Sequence, residues 1–178
     1  MRLLFKGLLG VMCGVYCMIG LAATSQEAVT LYLLNTKGTG NSVGQVLLED
    51  SPFGLLIKPA LFGLSPGEHG FHVHENPSCQ AKEKDGVMVP GLAAGGHFDP
   101  LGTGKHLGPY NTQGHLGDLP VLVVNQQGKA VTPVLAPRLT LAMVRGHALM
   151  IHAQGDNYAD KPVALGGGGQ RLACGVIP

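Results

Sequence analysis

Six of the eight histidines in this chain, together with one aspartate, fall into a pattern that can hold metal. They are His72, His74, His97, His106, His115, Asp118 and His152. His72 and His74 sit in Gly70-Phe71-His72-Val73-His74-Glu75, which alternates like a strand. A strand has a side-chain period of two, so both imidazoles point to one face, a half-site on rigid backbone. His97, His106, His115 and Asp118 come from a Gly-rich stretch, where a loop can wrap around an ion. Neutral imidazole suits copper and zinc, and a carboxylate adds compensating charge. The set reads as two metal sites that share one ligand.

Short strands must position these groups. Strands are expected over 29–34, 43–49 and 53–62, with Pro59 marking an edge or a bulge. The histidine-bearing strand is expected over 69–75. Residues 76–119 are rich in Gly and Pro with no sustained apolar period. So long a loop needs something to organise it, and the ligands and Cys79 supply that. Residues 120–124 and 129–135 read as a hairpin around Asn125-Gln126-Gln127-Gly128, and 139–144 as a short strand or connection. A last apolar strand, 147–152, ends at His152. A second ordered loop, 153–170, leads to a closing strand, 171–177. With turn signals throughout and no long helical period, this is an all-β chain, an antiparallel β-sandwich or barrel.

Charge is close to zero, and no basic run or interleaved aromatic patch appears, so nothing points to nucleic acid. The N-terminus looks like a targeting segment. Arg2 and Lys6 precede an apolar run from Leu8 to Leu21, and Ala22-Ala23 offers a small-residue cleavage site. The alternative is a membrane anchor, but the run is short for a spanning helix and no stop-transfer pattern follows. The expected division is a cleaved signal peptide, 1–23, and one domain, 24–178. Loss of Arg2 and Lys6 leaves ten basic against eleven acidic residues.

Cys13 and Cys17 leave with the leader; lipidation of Cys17 is disfavoured by the bulky Tyr16 before it. In an oxidising compartment the remaining pair, Cys79 and Cys174, is expected to form a disulfide. Two unrelated buried thiols are the bland alternative.

Five blocks carry a closer likeness: Gly70–Glu75, Ala93–Pro100, Gly114–Pro120, Gly146–His152 and Arg171–Ile177. In this order they resemble the bacterial, exported copper/zinc superoxide dismutases over nearly all of the mature chain. The resemblance implies a Greek-key fold with two long functional loops and a periplasmic enzyme that converts superoxide to oxygen and hydrogen peroxide. It implies His72, His74, His97 and His152 as copper ligands. His97, His106, His115 and Asp118 become the zinc ligands, with His97 bridging and exchanging a proton. Asp156 matches a carboxylate that links a copper ligand to a zinc ligand, here His72 and His106. Arg171 matches the arginine that guides the anion. Phe98 stands where bacterial relatives often carry a larger aromatic at a subunit interface; a homodimer is left open.

Other readings stay beside this one. His69 and His147 fall outside the pattern and are expected to be satisfied polar residues. Asp156 alone could be a turn aspartate. Lys105 and Lys161 could steer an anion or be solvated. A secreted copper-delivery protein could use the same histidines without needing Arg171. A zinc hydrolase would want an open zinc position, which four protein ligands do not leave.

Overall fold

The computed structural model describes residues 25–178. The expected leader, with Cys13 and Cys17, lies outside the described residues. Among the described residues no helix is long and apolar enough to cross a membrane.

Three long strands open the fold: β1 (Gln26–Asn35), β2 (Gly38–Ser51) and β3 (Gly54–Leu61). Two short ones follow, β4 (Gly67–His69) and β5 (Phe71–His74). The next loop holds β6 (Lys82–Lys84) and β7 (Val87–Val89). Then come β8 (Leu122–Val124), β9 (Val134–Ala136), a one-turn helix α1 (Leu141–Val144), β10 (Ala148–His152) and β11 (Arg171–Val176). All pairings are antiparallel. Seven strands form one sheet in the order β5-β10-β11-β1-β2-β3-β9, and β4 pairs β8 in a smaller one. The last strand thus lies beside the first, as an all-β fold with long return connections requires.

Alternation explains the core. Val29 and Leu31 of β1, Val46 and Leu48 of β2, and Leu55 and Ile57 of β3 are all buried in one cluster. Pro59 occurs in β3 beyond its three pairings to β9, so its missing N–H falls where that edge has no ladder to complete. Ala148, Met150, Cys79, Ala94 and Cys174 form a second small core. Cys79 and Cys174 are joined in a disulfide, Cα–Cα 5.7 Å, across 95 residues of chain.

Three local expectations are corrected. The turn at Asn125–Lys129 forms, with the Asn125 N–H donating to the Lys129 carbonyl at 2.9 Å. Its arms do not pair as a hairpin: β8 pairs β4 and β9 pairs β3. Pro133 interrupts the second arm and cannot donate to a ladder there. Residues 141–144 are helical, because Asp50 in β2 accepts the Leu141 N–H at 2.7 Å and caps the turn from 91 residues away. The stretch 82–89 is a hairpin turning at Asp85-Gly86, both at positive φ. That Asp-Gly pair was the signal to read.

Candidate metal centre

Strand β5 is buried at every residue. Phe71 and Val73 enter the main core, so His72 and His74 project from the other face. Strand β10 pairs with β5, Met150 opposite His72 and Ala148 opposite His74. A register shift between Ile151 and His152 sets His152 opposite Arg171 of β11. Two β-strands therefore supply three of the histidines and fix the arginine beside them.

The long loop docks along the free edge of β5. The Val73 N–H donates to Gly117 O at 2.9 Å, and the Phe98 N–H donates to Val73 O at 2.8 Å. Bridges between His74 and His97 and between His72 and Asp118 set the loop ligands in register with the strand ligands. Gly117 cannot be replaced freely, because a Cβ there would collide with the Val73 carbonyl.

Two clusters result. The first is His72, His74, His97 and His152, all buried, with ligand atoms within 4.8 Å of one another. His74 Nδ1 donates to Gly95 O at 3.0 Å, and His152 Nδ1 donates to Gly169 O at 3.2 Å. That leaves both Nε2 atoms as acceptors, 3.4 Å apart. Two facing lone pairs at that distance call for a cation between them. His72 Nδ1 and His97 Nε2 are buried without a hydrogen-bond partner.

The second cluster centres on Asp118. Its Oδ1 lies 3.0 Å from His97 Nδ1, 3.0 Å from His106 Nδ1 and 3.4 Å from His115 Nδ1. A tetrahedral ion with zinc-like bonds would separate its ligands by about 3.3 Å. Its Oδ2 accepts from the Leu107 and Gly108 N–H groups, both at 3.2 Å. His72 is also near this cluster, stacked on His97 with ring centroids 3.9 Å apart. His72 Nε2 is already committed to Asp156, and only Nδ1 remains, so His72 can serve one ion and not two. The donor set, imidazoles with one carboxylate, fits copper and zinc.

Asp156 ties the clusters together. Its Oδ2 accepts from His72 Nε2 and its Oδ1 from His106 Nε2, both at 2.7 Å. These bonds choose the tautomers and leave each Nδ1 for an ion.

Protonation follows the same arrangement. Burial, with His97 nearby, holds His72 and His74 neutral, well below the usual histidine range. Burial also lowers His97, and takes His152 down to about 4. His106 goes the other way. Burial opposes its charge, but hydrogen bonds to Asp118 and Asp156 outweigh that and push it up to about 9. Burial would raise both carboxyls. Instead, bonds from His106, His115 and His97 hold Asp118 far below the carboxylate range, and bonds from His106 and His72 do so for Asp156. The two carboxylates stay ionised where positive charge is wanted.

Arg171 is half-buried. Its Nη1 donates to Gly91 O at 2.7 Å and its Nη2 to Gly95 O at 2.6 Å. His69 is satisfied as expected, with Nδ1 donating to the His152 carbonyl at 2.7 Å. His147 Nδ1 donates to Glu75 O, and its ring packs on Phe98, centroids 4.2 Å apart.

Two supporting residues were not legible in the sequence. Arg138 donates to the carbonyls of Gly114 at 2.9 Å and His115 at 3.2 Å, clamping the loop from outside. Asp160 accepts the His106 N–H at 3.0 Å and the Leu165 N–H at 3.2 Å, joining the two loops. Neither lies at a diagnostic spacing from its partners.

Comparison with known proteins agrees with this geometry. The family model described as copper/zinc superoxide dismutase (SODC) matches residues 42–177. The chain is 54% identical over 163 residues to "Superoxide dismutase [Cu-Zn] 1" of Salmonella typhimurium (strain 4/74), covering 90% of this chain and 92% of the relative. The structure of a Cu/Zn superoxide dismutase from Brucella abortus superposes with a TM-score of 0.85 at 52% identity, over 86% of this chain and all of that one. A solution structure of the monomeric copper, zinc superoxide dismutase from Salmonella enterica gives 0.78 at 55% identity, over 86% of this chain and all of that one. With its strands, its two linked histidine clusters and these likenesses taken together, the chain belongs to the copper/zinc superoxide dismutase family.

Proposed function

We propose that His72, His74, His97 and His152 hold the copper ion, and that His97, His106, His115 and Asp118 hold the zinc ion. His97 would be the shared ligand, offering Nε2 to the first cluster and Nδ1 to the second. The observation that carries this reading is the division of His97: Nδ1 is 3.0 Å from Asp118 Oδ1, and Nε2 is buried without a partner. One ring thus serves both clusters.

Bound copper supplies the one-electron couple of superoxide dismutation, and bound zinc supplies fixed positive charge. The chain does the rest. His97 Nε2, buried without a hydrogen-bond partner, would hold a proton and give it to the forming peroxide, while Asp118 keeps the ring oriented through the Nδ1 side. Asp156 holds His72 and His106 in the tautomers that leave Nδ1 free. Arg171, fixed by the Gly91 and Gly95 carbonyls, draws in the anion and orients it. Superoxide is small and singly charged, so a fixed cation beside the site is the main recognition it needs.

The leader 1–23 and the Cys79–Cys174 bond support export, and the periplasm is the compartment proposed for the mature domain, 24–178. All eight proposed metal and arginine positions come from one chain, so the centre needs no second copy. Likeness to a structure described as monomeric favours a monomer over a homodimer.

The test is His152→Ala, analysed for copper, zinc, the Cu(II) spin-resonance spectrum and superoxide turnover. Loss of the native copper spectrum and of nearly all activity, with zinc retained, is expected. An unchanged spectrum with full activity would remove His152 from the copper set.

A further inference from the structure

Arg171 also lines a cavity of about 390 Å³ whose wall is Val87, Met88 and Val89 of the β6–β7 hairpin and the Pro90 that follows it. Among the described residues Arg171 has no carboxylate partner: it makes only the two bonds to Gly91 and Gly95 carbonyls. A half-buried guanidinium without a counter-charge favours an anion. Superoxide has no use for the apolar wall beside it. Val87 is 63% exposed and Val89 is half-buried, so this wall is presented to solvent rather than used in the core. The size lies within the range of sites for small organic ligands.

Lys84 stands opposite Val87, and Lys82 opposite Val89, in the hairpin, so positive charge shares the face of both valines. Glu83 pairs with Met88 on the other face. Gln170 and Thr36 complete the rim with neutral polar groups. A larger cavity, about 520 Å³ beside Cys79, is lined by no charged side chain among the described residues and lacks this combination.

From this juxtaposition we propose that the cavity binds a small monocarboxylate with a short aliphatic tail. The carboxylate pairs with Arg171 and the tail lies on Val87 and Val89, which share one face of β7. Because it occupies the anion-guiding arginine, such a ligand competes with superoxide; this second step rests on the role proposed above for Arg171.

The experiment compares acetate, butyrate and hexanoate on the reduced, metal-loaded protein. Binding is read from amide chemical shifts over residues 86–91, and inhibition from superoxide turnover. Hexanoate should bind about tenfold more tightly than acetate, well below the roughly two-hundredfold that complete burial of four methylenes would give. A Val87→Ser, Val89→Ser double variant should keep its basal turnover and lose most of that tail dependence. Hexanol, which has the tail without the charge, should bind at least tenfold more weakly than hexanoate to the native protein.

Equal binding of acetate and hexanoate would overturn the site, as would tail dependence that survives in the double variant. Tail-dependent binding without inhibition would uphold the site and refute the competition. Failure of the reading of Arg171 itself shows separately, as unchanged turnover in Arg171→Ile without any carboxylate present.

Discussion

Gly166 lies directly against the Asp156 carboxylate: a Cβ at residue 166 would overlap Oδ1 and come within 2.8 Å of His106 Nε2. The backbone there has φ +71°, in the left-handed region that favours glycine. The second loop is therefore shaped to close over the carboxylate that joins His72 to His106. Gly166→Ala should displace Asp156 and slacken both histidines. We expect faster loss of both metals to a chelator, by about tenfold or more, with the strand content unchanged by circular dichroism. Native retention of both ions would show that this loop does not hold Asp156 in place.

Asp118 approaches three imidazoles, and its other oxygen accepts two backbone N–H groups of the loop. Asp118→Ala should weaken zinc more than copper. It should also raise protease cleavage within residues 99–117, because the ion and the carboxylate together organise that stretch. Stoichiometric zinc after chelator challenge would exclude Asp118 as a ligand.

The role proposed for Arg171 distinguishes catalysis from metal storage. Arg171→Ile should leave both metals bound and lower the turnover rate by about 10-fold or more, within the range over which steering charges act. Arg171→Lys should be intermediate, since the charge remains and the planar fork that reaches Gly91 and Gly95 is lost. Arg171→Glu should be slowest. Added salt should slow the native enzyme and have less effect on Arg171→Ile. Equal rates for the native, Ile and Glu forms at matched copper content would remove Arg171 from the reaction.

Cys174 is three residues from Arg171 on β11, and its partner Cys79 anchors the start of the long loop. Cys79→Ser should destabilise the protein by about 2–5 kcal/mol, which in a domain of this size lowers Tm on the order of 10 °C. Activity should fall with it, because Gly91 and Gly95, the two anchors of Arg171, belong to the loop the disulfide restrains. A melting temperature equal to the native one would show that the bond constrains little.

The ligand types, their order and the strand that carries His72 and His74 were legible in the sequence. Period-two alternation decides locally which face a side chain takes, and imidazole and carboxylate carry their ligand chemistry wherever the fold puts them. The core strands were legible for the same reason. Strand partners were not: β8 and β9 are short apolar runs of strand-forming residues, but composition does not say which distant edge completes the ladder, and they pair β4 and β3 instead of each other. The cap of α1 was hidden because Asp50 reaches Leu141 only after the sheet has formed. The bulge that sets His152 opposite Arg171, the docking of the loop on the β5 edge and the clamps made by Arg138 and Asp160 all join residues far apart in the chain. Sequence supplied the histidines and the carboxylate proposed to bind metal. The family likeness already pointed to His97 as the shared residue, but no local signal in the chain did: its distances to both clusters depend on backbone hydrogen bonds between a strand and a loop, which only the tertiary structure decides.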